Sequence, residues 1–173
     1  MQLVVADTGP VNYLILIGYI DLLPQMFESV VLPAAVQTEL SNRLAPPAVQ
    51  RWIADPPAWL EIAQTLAVTL STGIHKGEAA AIALAVAMHA DLLLIDDRRG
   101  IRAAKELGLR VTGTLGLLDL AAERGLVDFA DSIHKLESTR GRDRCPVRPS
   151  HRSGATYGRA LERNDHRAFP PTQ

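Results

Sequence analysis

Short apolar runs alternate with longer segments of helical periodicity along the first 124 residues. Leu3 to Ala6 and Leu92 to Ile95 are runs without a single polar residue. Such runs predict strands that are covered by helices on both faces, as in parallel sheets. Strands that alternate with helices along the chain predict repeated β-α units. We therefore predict an α/β fold with a mostly parallel central sheet.

The boundaries of the predicted elements follow from this pattern. Strands are predicted at 2–6, 29–32, 91–95 and 109–112. Helices are predicted within 10–27 and at 33–44, 77–89, 98–107 and 114–124. Residues 47–54 are a candidate short helix, and Trp59 to Ala63 fits either an edge strand or a packing loop. Gly108 and Gly125 lie where helix C-caps are expected.

Composition favours a single soluble domain. The chain has 173 residues, of which 47% are hydrophobic, enough for a core without a metal or disulfide. Cys145 is the single cysteine, and the amino terminus lacks the basic-then-apolar order of a signal peptide. The longest apolar stretch, Ala79 to Met88, is too short to suggest a membrane helix. We expect a cytoplasmic protein with no membrane partner.

Charge divides the chain into two unlike parts. Residues 1–139 carry a net charge of −6, and residues 140–173 a net charge of +5. Helical periodicity stops after Leu136. We predict a folded domain at 1–137 and a disordered tail rich in Arg and Pro at 138–173. A basic arm for RNA or an acidic partner, and an off-frame extension, are alternatives for the tail.

Acidic residues follow both apolar strands. Asp7 ends the first run, and Asp96 and Asp97 end the second. Carboxyl ends of parallel strands meet at one edge of the sheet, where ligands bind. Glu39 and Glu78, on predicted helices, are candidates for the same edge. Carboxylate oxygens suit Mg²⁺ or Mn²⁺, whereas the histidines and the lone cysteine show no spacing typical of zinc.

Each acid also has a structural interpretation. Asp7 fits the cap of the following helix, and Asp96 and Asp97 fit a turn that enters the next one. Glu39 fits a solvated helix position, and Glu78 fits an acid that complements the amino end of a helix dipole. The functional hypothesis therefore depends on the acids acting together.

Nearby hydroxyl and cationic side chains are candidates for substrate contact. Thr8 and Thr114 fit helix caps as well as phosphate contacts. Arg98 and Arg99, directly after the acidic pair, fit either phosphate contacts or the neutralisation of a helix face.

Five short motifs occur in order over residues 3–120. They are Asp-Thr-x-Pro, Leu-Pro-x-x-Val-x-x-Glu-Leu, Gly-Glu-Ala-x-Ala-Ile-x-Leu-Ala, Leu-Leu-Ile-Asp-Asp-Arg-Arg and Gly-Thr-Leu-Gly-Leu-Leu. This order resembles the PIN domain family, and more closely its branch of small prokaryotic proteins related to VapC-type toxins. The resemblance implies a three-layer α/β/α domain with an Mg²⁺-dependent ribonuclease site.

The resemblance also implies roles for individual acids. The four catalytic positions correspond to Asp7, Glu39, Glu78 and Asp97, and the metal ligands to Asp7, Glu78, Asp96 and Asp97. Many toxins of the branch carry Asp-x-Asp-Phe at the fourth position, whereas this chain continues with Arg98, and Gly9 replaces a common Ser. These two departures remove one expected ligand and one expected hydroxyl.

The sequence therefore predicts an Mg²⁺-dependent endoribonuclease, the toxin of a toxin–antitoxin pair. RNA is the implied substrate and a cognate antitoxin the implied partner, while Mn²⁺ in place of Mg²⁺ and a homodimer stay open. Two rival hypotheses are a noncatalytic PIN-like binding module and a phosphoacceptor signalling domain. The second is disfavoured because such domains place their paired acids after the first strand.

Overall fold

A five-stranded, all-parallel sheet forms the centre of the protein. The computed structural model describes residues 2–65 and 74–142. Within them the strands are β1 (Leu3–Ala6), β2 (Ser29–Pro33), β3 (Leu60–Ala63), β4 (Leu92–Leu94) and β5 (Val111–Thr112). Their order in the sheet is β3-β2-β1-β4-β5, and every pairing is parallel. The predicted parallel α/β fold is confirmed.

Eight helices accompany these strands in the described residues. They are α1 (Thr8–Leu16), α2 (Leu22–Met26), α3 (Ala34–Leu40), α4 (Pro47–Ala54), α5 (Lys76–Ala87), α6 (Arg98–Glu106), α7 (Thr114–Glu123) and α8 (Phe129–Arg142). Successive side chains of a strand point to opposite faces, so β1 contributes to two cores. Val4 belongs to a core cluster with side chains of α1, α2, α3, α4, α7 and α8. Val5 packs with those of α5 and α6 on the other face. The result is a three-layer α/β/α domain.

Three segments differ from or refine the sequence-based prediction. Trp59 to Ala63, left open above, contains the edge strand β3, which pairs with β2. The helix predicted at 33–44 ends at Leu40, where Ser41 donates to the carbonyl of Gln37 and Asn42 accepts from the amide of Leu44. Side chains that bond the local backbone in this way compete with helix extension. Helix α8 was not predicted.

The two glycines predicted as helix C-caps adopt the backbone that this position requires. Gly108 has φ +77° after α6, and Gly125 has φ +70° after α7. Left-handed backbone is strained for residues with a Cβ, so glycine ends both helices without that cost.

The predicted tail lies largely outside the described residues. Helix α8 runs through its first five positions, to Arg142. The boundary at residue 137 and the disorder of the tail stay predictions. Among the described helices, none is long and apolar enough to cross a membrane.

Candidate functional site

The acidic residues gather where the strand order of the sheet reverses. Strands β1 and β4 are neighbours in the sheet, although five helices (α1 to α5) and two strands (β2 and β3) lie between them along the chain. The amide of Asp7, after β1, donates to the carbonyl of Leu94 in β4 at 2.9 Å. Asp96 and Asp97 follow β4 two and three residues later. In open parallel sheets this reversal opens a crevice in which ligands bind.

Asp7 is the most deeply buried acid of the site. Only 4% of its surface is exposed, and its Oδ1 has no hydrogen-bond partner among the described residues. The pKa of Asp7 is raised to about 7, mainly by burial and also by the negative charges of Glu78, Glu39 and Asp96, against the opposing effect of the Thr8 amide. A buried, partnerless carboxylate oxygen beside like charges is costly unless a proton or a cation accompanies it.

Glu78 contributes a second buried carboxylate from the first turn of α5. Burial raises its pKa above the ordinary value, and the charge of Asp97 acts in the same direction. The backbone amide of His75 opposes both by donating to Oε2 of Glu78 at 3.3 Å. Glu78 is therefore linked electrostatically to Asp7 on one side and to Asp97 on the other.

Glu39 connects two helices of the site. The hydroxyl of Thr8 donates to Oε2 of Glu39 at 2.6 Å, and the amide of Gly77 donates to Oε1 at 2.9 Å. A Cβ on Gly77 would lie 2.5 Å from Oε2, so only glycine leaves room for this carboxylate. Glu39 thus ties the start of α1 to the start of α5.

Asp96 is held in a similar way at the start of α7. Thr114 donates its amide to Oδ1 at 2.8 Å and its hydroxyl to Oδ2 at 2.6 Å. A Cβ on Gly113 would lie 2.6 Å from Oδ1 of Asp96. The other carboxylate oxygen faces Gly9 of α1, whose added Cβ would lie 3.5 Å from Oδ2. Asp96 therefore sits between the amino ends of α1 and α7.

Asp97 caps helix α6. Its Oδ1 accepts from the amides of Arg99 at 2.7 Å and Gly100 at 3.2 Å. The same carboxylate raises the pKa of Glu78 by repulsion. The structural interpretation of Asp97 as a helix cap is thus confirmed, and its functional interpretation stays a prediction.

The four candidate substrate contacts divide into two kinds. The hydroxyls of Thr8 and Thr114 donate to acids of the site, and Thr114 is buried. Arg98 and Arg99 are exposed in the first turn of α6. Contact of any of these residues with substrate stays a prediction.

The site is rich in carboxylates, but their side chains are not arranged around one metal ion. In residues 2–65 and 74–142, no three acidic, His or Cys side chains are placed to hold one metal ion as they stand. Glu39, Asp96 and Asp97 accept hydrogen bonds from the protein instead. Ligation by several acids at once would require side-chain adjustment.

Gly77 and Gly113 are the residues of the site whose importance the sequence did not reveal. Each removes a Cβ that would meet a carboxylate oxygen. For Gly77 a signal does exist in the sequence, because glycine in the first turn of a helix lowers helix propensity and so suggests a close approach. Gly113 is the N-cap of α7, where glycine is common, and gives no such signal.

Comparison with known protein families identifies the class to which this chain belongs. A family model described as a PIN domain, DUF3368, matches residues 3–143. The chain belongs to the PIN domain family, whose members are usually nucleases.

A solved structure shows the same fold at low sequence identity. It is a PilT N-terminus domain protein from the hyperthermophilic archaeon Sulfolobus solfataricus P2, with 16% identity and a TM-score of 0.52. The similarity covers 69% of this chain and 93% of that protein. A search of curated proteins returned no match.

Proposed function

We propose that this protein is a metal-dependent endoribonuclease. The observation that carries the proposal is the partnerless Oδ1 of Asp7, buried at the crevice among the charges of Glu78, Glu39 and Asp96. Like charges are costly to hold together in a folded protein, so their concentration around a buried oxygen favours a site for a cation.

The donor chemistry fits a hard divalent cation. Every candidate ligand is a carboxylate, and oxygen ligands are those that Mg²⁺ and Mn²⁺ prefer. Asp7, Glu78, Asp96 and Asp97 would hold the ion. When bound, such an ion activates water and neutralises charge that develops on the scissile phosphate.

The residues of the chain itself prepare the site. Glu39 holds the amino ends of α1 and α5 together through Thr8 and Gly77, which fixes the distance between Asp7 and Glu78. Arg98 and Arg99 lie exposed beside Asp97, where guanidinium groups would orient the phosphates of a substrate.

We further propose that the substrate is cytoplasmic RNA and that the protein is the toxin of a toxin–antitoxin pair. This part rests on the ordered motifs that resemble VapC-type toxins. Growth arrest on expression, relieved by Asp7→Asn and by co-expression of a neighbouring gene for a small DNA-binding protein, would support it. Growth unaffected by active enzyme would contradict the toxin role while leaving the nuclease intact.

The decisive experiment is RNA cleavage by the purified full chain. Wild type should cleave RNA with Mg²⁺ or Mn²⁺ and lose activity in EDTA. Asp7→Asn should cost about 100-fold or more, because a metal ligand charge is worth several kcal/mol in the transition state. Ser132→Ala, which removes a buried hydroxyl in α8 remote from the acids, is the matched control and should retain activity.

One observation favours a second candidate, a noncatalytic PIN-like binding module. The acids accept hydrogen bonds from the protein, and in the described residues no three of them are placed to hold an ion. A folded wild type that cleaves no RNA with either metal would support the binding module and exclude the nuclease.

A further inference from the structure

We propose that Thr114 is a positioning residue, which holds the carboxylate of Asp96 against the start of α1 so that Asp96 can serve as a ligand of the cation site around Asp7. This inference rests on the proposed function, because it assigns the residues that prepare the same site. It gives Asp96, which the sequence offers only as a candidate metal ligand, a partner of its own in the fold.

Thr114 fixes both oxygens of Asp96. The amide of Thr114 donates to Oδ1 at 2.8 Å and the hydroxyl to Oδ2 at 2.6 Å, across 18 residues of chain. Two donors on one residue determine the rotation as well as the position of the carboxylate. Thr114 is 3% exposed, so its hydroxyl makes this contact away from bulk water. A hydroxyl that only capped α7 would bond the amides of its own first turn instead.

Two glycines make the space that this contact requires. A Cβ on Gly113 would lie 2.6 Å from Oδ1 of Asp96, closer than real Cβ contacts occur. A Cβ on Gly9 would lie 3.5 Å from Oδ2, an ordinary van der Waals distance. Asp96 is thus pressed against the start of α7 while its other side faces the start of α1, where Asp7 lies.

Asp97 faces a different part of the cluster. Its Oδ1 receives the amides of Arg99 and Gly100, which commits that oxygen to the amino end of α6. The charge of Asp96 acts on Asp7, whereas the charge of Asp97 acts on Glu78. Asp96 is therefore held by the start of α7 and Asp97 by the start of α6, and Thr114 bonds only Asp96.

Residues that orient a ligand are tested by metal affinity as well as by activity. Thermal melts of the full chain in EDTA and over a series of Mn²⁺ concentrations give an apparent Mn²⁺ affinity for each variant. Thr114→Val keeps the shape of the side chain and removes the hydroxyl, so we expect about 10- to 100-fold weaker Mn²⁺ binding, the usual cost of losing such a partner. Thr114→Ser restores a hydroxyl and should bind Mn²⁺ nearly as wild type does.

Gly113→Ala provides an independent perturbation if Thr114→Val folds poorly. It leaves the Thr114 hydroxyl in place and displaces Asp96, so it should weaken Mn²⁺ binding, whereas Gly9→Ala should not. In an Asp96→Asn background, Thr114→Val should have little further effect on Mn²⁺ binding. Thr114 acts through Asp96, so the effects of the two substitutions should not add. Ser132→Ala should lower the melting temperature without altering the Mn²⁺ response.

The outcomes separate this proposal from the proposed function. If Mn²⁺ raises the melting temperature of wild type, Thr114→Val and Gly113→Ala equally, the role of Thr114 is overturned and the metal site is not. The role of Thr114 is also overturned if Thr114→Val weakens Mn²⁺ binding as much in the Asp96→Asn background as in wild type. Wild type that shows no response to Mn²⁺ overturns the metal site itself, and this proposal with it.

Discussion

Two clusters of charged side chains in this protein shift the pKa of an aspartate in opposite directions. At the crevice, Asp7 is buried beside Glu78, Glu39 and Asp96, and its pKa is raised to about 7. On the surface of α8, Asp131 accepts from the hydroxyl of Tyr19 at 2.8 Å and pairs with Lys135 at 2.8 Å. These donors lower the pKa of Asp131 below its ordinary value.

The difference concerns where the compensating charge comes from. Lys135 supplies it from the chain itself, and its ammonium group also lies 4.4 Å from the centre of the Tyr19 ring. At the crevice, Thr8, Gly77 and Thr114 donate hydrogen bonds to Glu39 and Asp96 from hydroxyls and amides, which carry no net charge. The charge of Asp131 is neutralised by Lys135, and this pair joins α8 to the domain. The acids of the crevice are all negative, and such a cluster is compatible with a positively charged ligand.

Removing the charge of Asp7 should give the largest effect on stability. The difference between the native pKa of about 7 and the ordinary value of 3.8 corresponds to a cost on the order of 4 kcal/mol above pH 7. Asp7→Asn should recover part of this cost, about 2 kcal/mol, or roughly 4–8 °C in Tm for a chain of this size. Thermal melts in EDTA at pH 8 would measure it.

The pH dependence supplies the control for this variant. Between pH 3.8 and about 7, native Asp7 keeps a proton that the unfolded chain loses. The stability of metal-free wild type should therefore fall as pH rises through this range and level off above it, while Asp7→Asn should show a smaller slope. An Asp7→Asn protein that melts lower than wild type at pH 8 would contradict the raised pKa and the comparison built on it.

The sequence predicts the parts of the site that follow from local patterns, and not those that depend on contacts between residues far apart in the chain. Asp7, Asp96 and Asp97 follow apolar strands directly, so the parallel-sheet rule alone brings them to one edge. Glu39 and Glu78 depend on motifs for their assignment, because the pattern fixes their helices but not how those helices pack. The pairing of Thr8 with Glu39 crosses 31 residues and follows from packing that no local pattern encodes.

Helix α8 was missed for a different physical reason. It buries little apolar surface: among its described residues, Leu136 is the one buried hydrophobic residue and Ser132 the one buried polar residue. The helix is held by polar contacts as well, including the bond from Lys135 to the hydroxyl of Tyr19 at 2.8 Å. A pattern of hydrophobic residues does not detect a helix that is held in this way.

A Cβ at Gly77 should disturb the crevice without changing any charge. The added carbon would lie 2.5 Å from Oε2 of Glu39, so Gly77→Ala must displace that carboxylate from Thr8. We expect a loss of about 1–2 kcal/mol, because moving this carboxylate weakens its hydrogen bonds from Thr8 and Gly77. Denaturant unfolding would measure it, with Gly9→Ala as the matched control, since its Cβ finds 3.5 Å of room. Equal stabilities for the two variants would show that Glu39 does not brace the two helices.

The smallest effect, and one of opposite sign to that of Asp7→Asn, is expected from the neutralised cluster. Lys135→Met keeps an apolar side chain of similar length and removes the charge that pairs with Asp131, so it should lower Tm slightly. The effect should be small because both side chains are solvent-exposed, and exposed ion pairs contribute little. The loss in Tm should shrink further at high salt, which screens exposed charges.

Thermal melts of Lys135→Met, Asp131→Asn and the double variant at low and high salt would test this prediction. The double variant should lose less in Tm than the sum of the losses of the two single variants. If Lys135→Met instead raised Tm, as neutralising Asp7 should, the two clusters would not differ in how their charge is compensated.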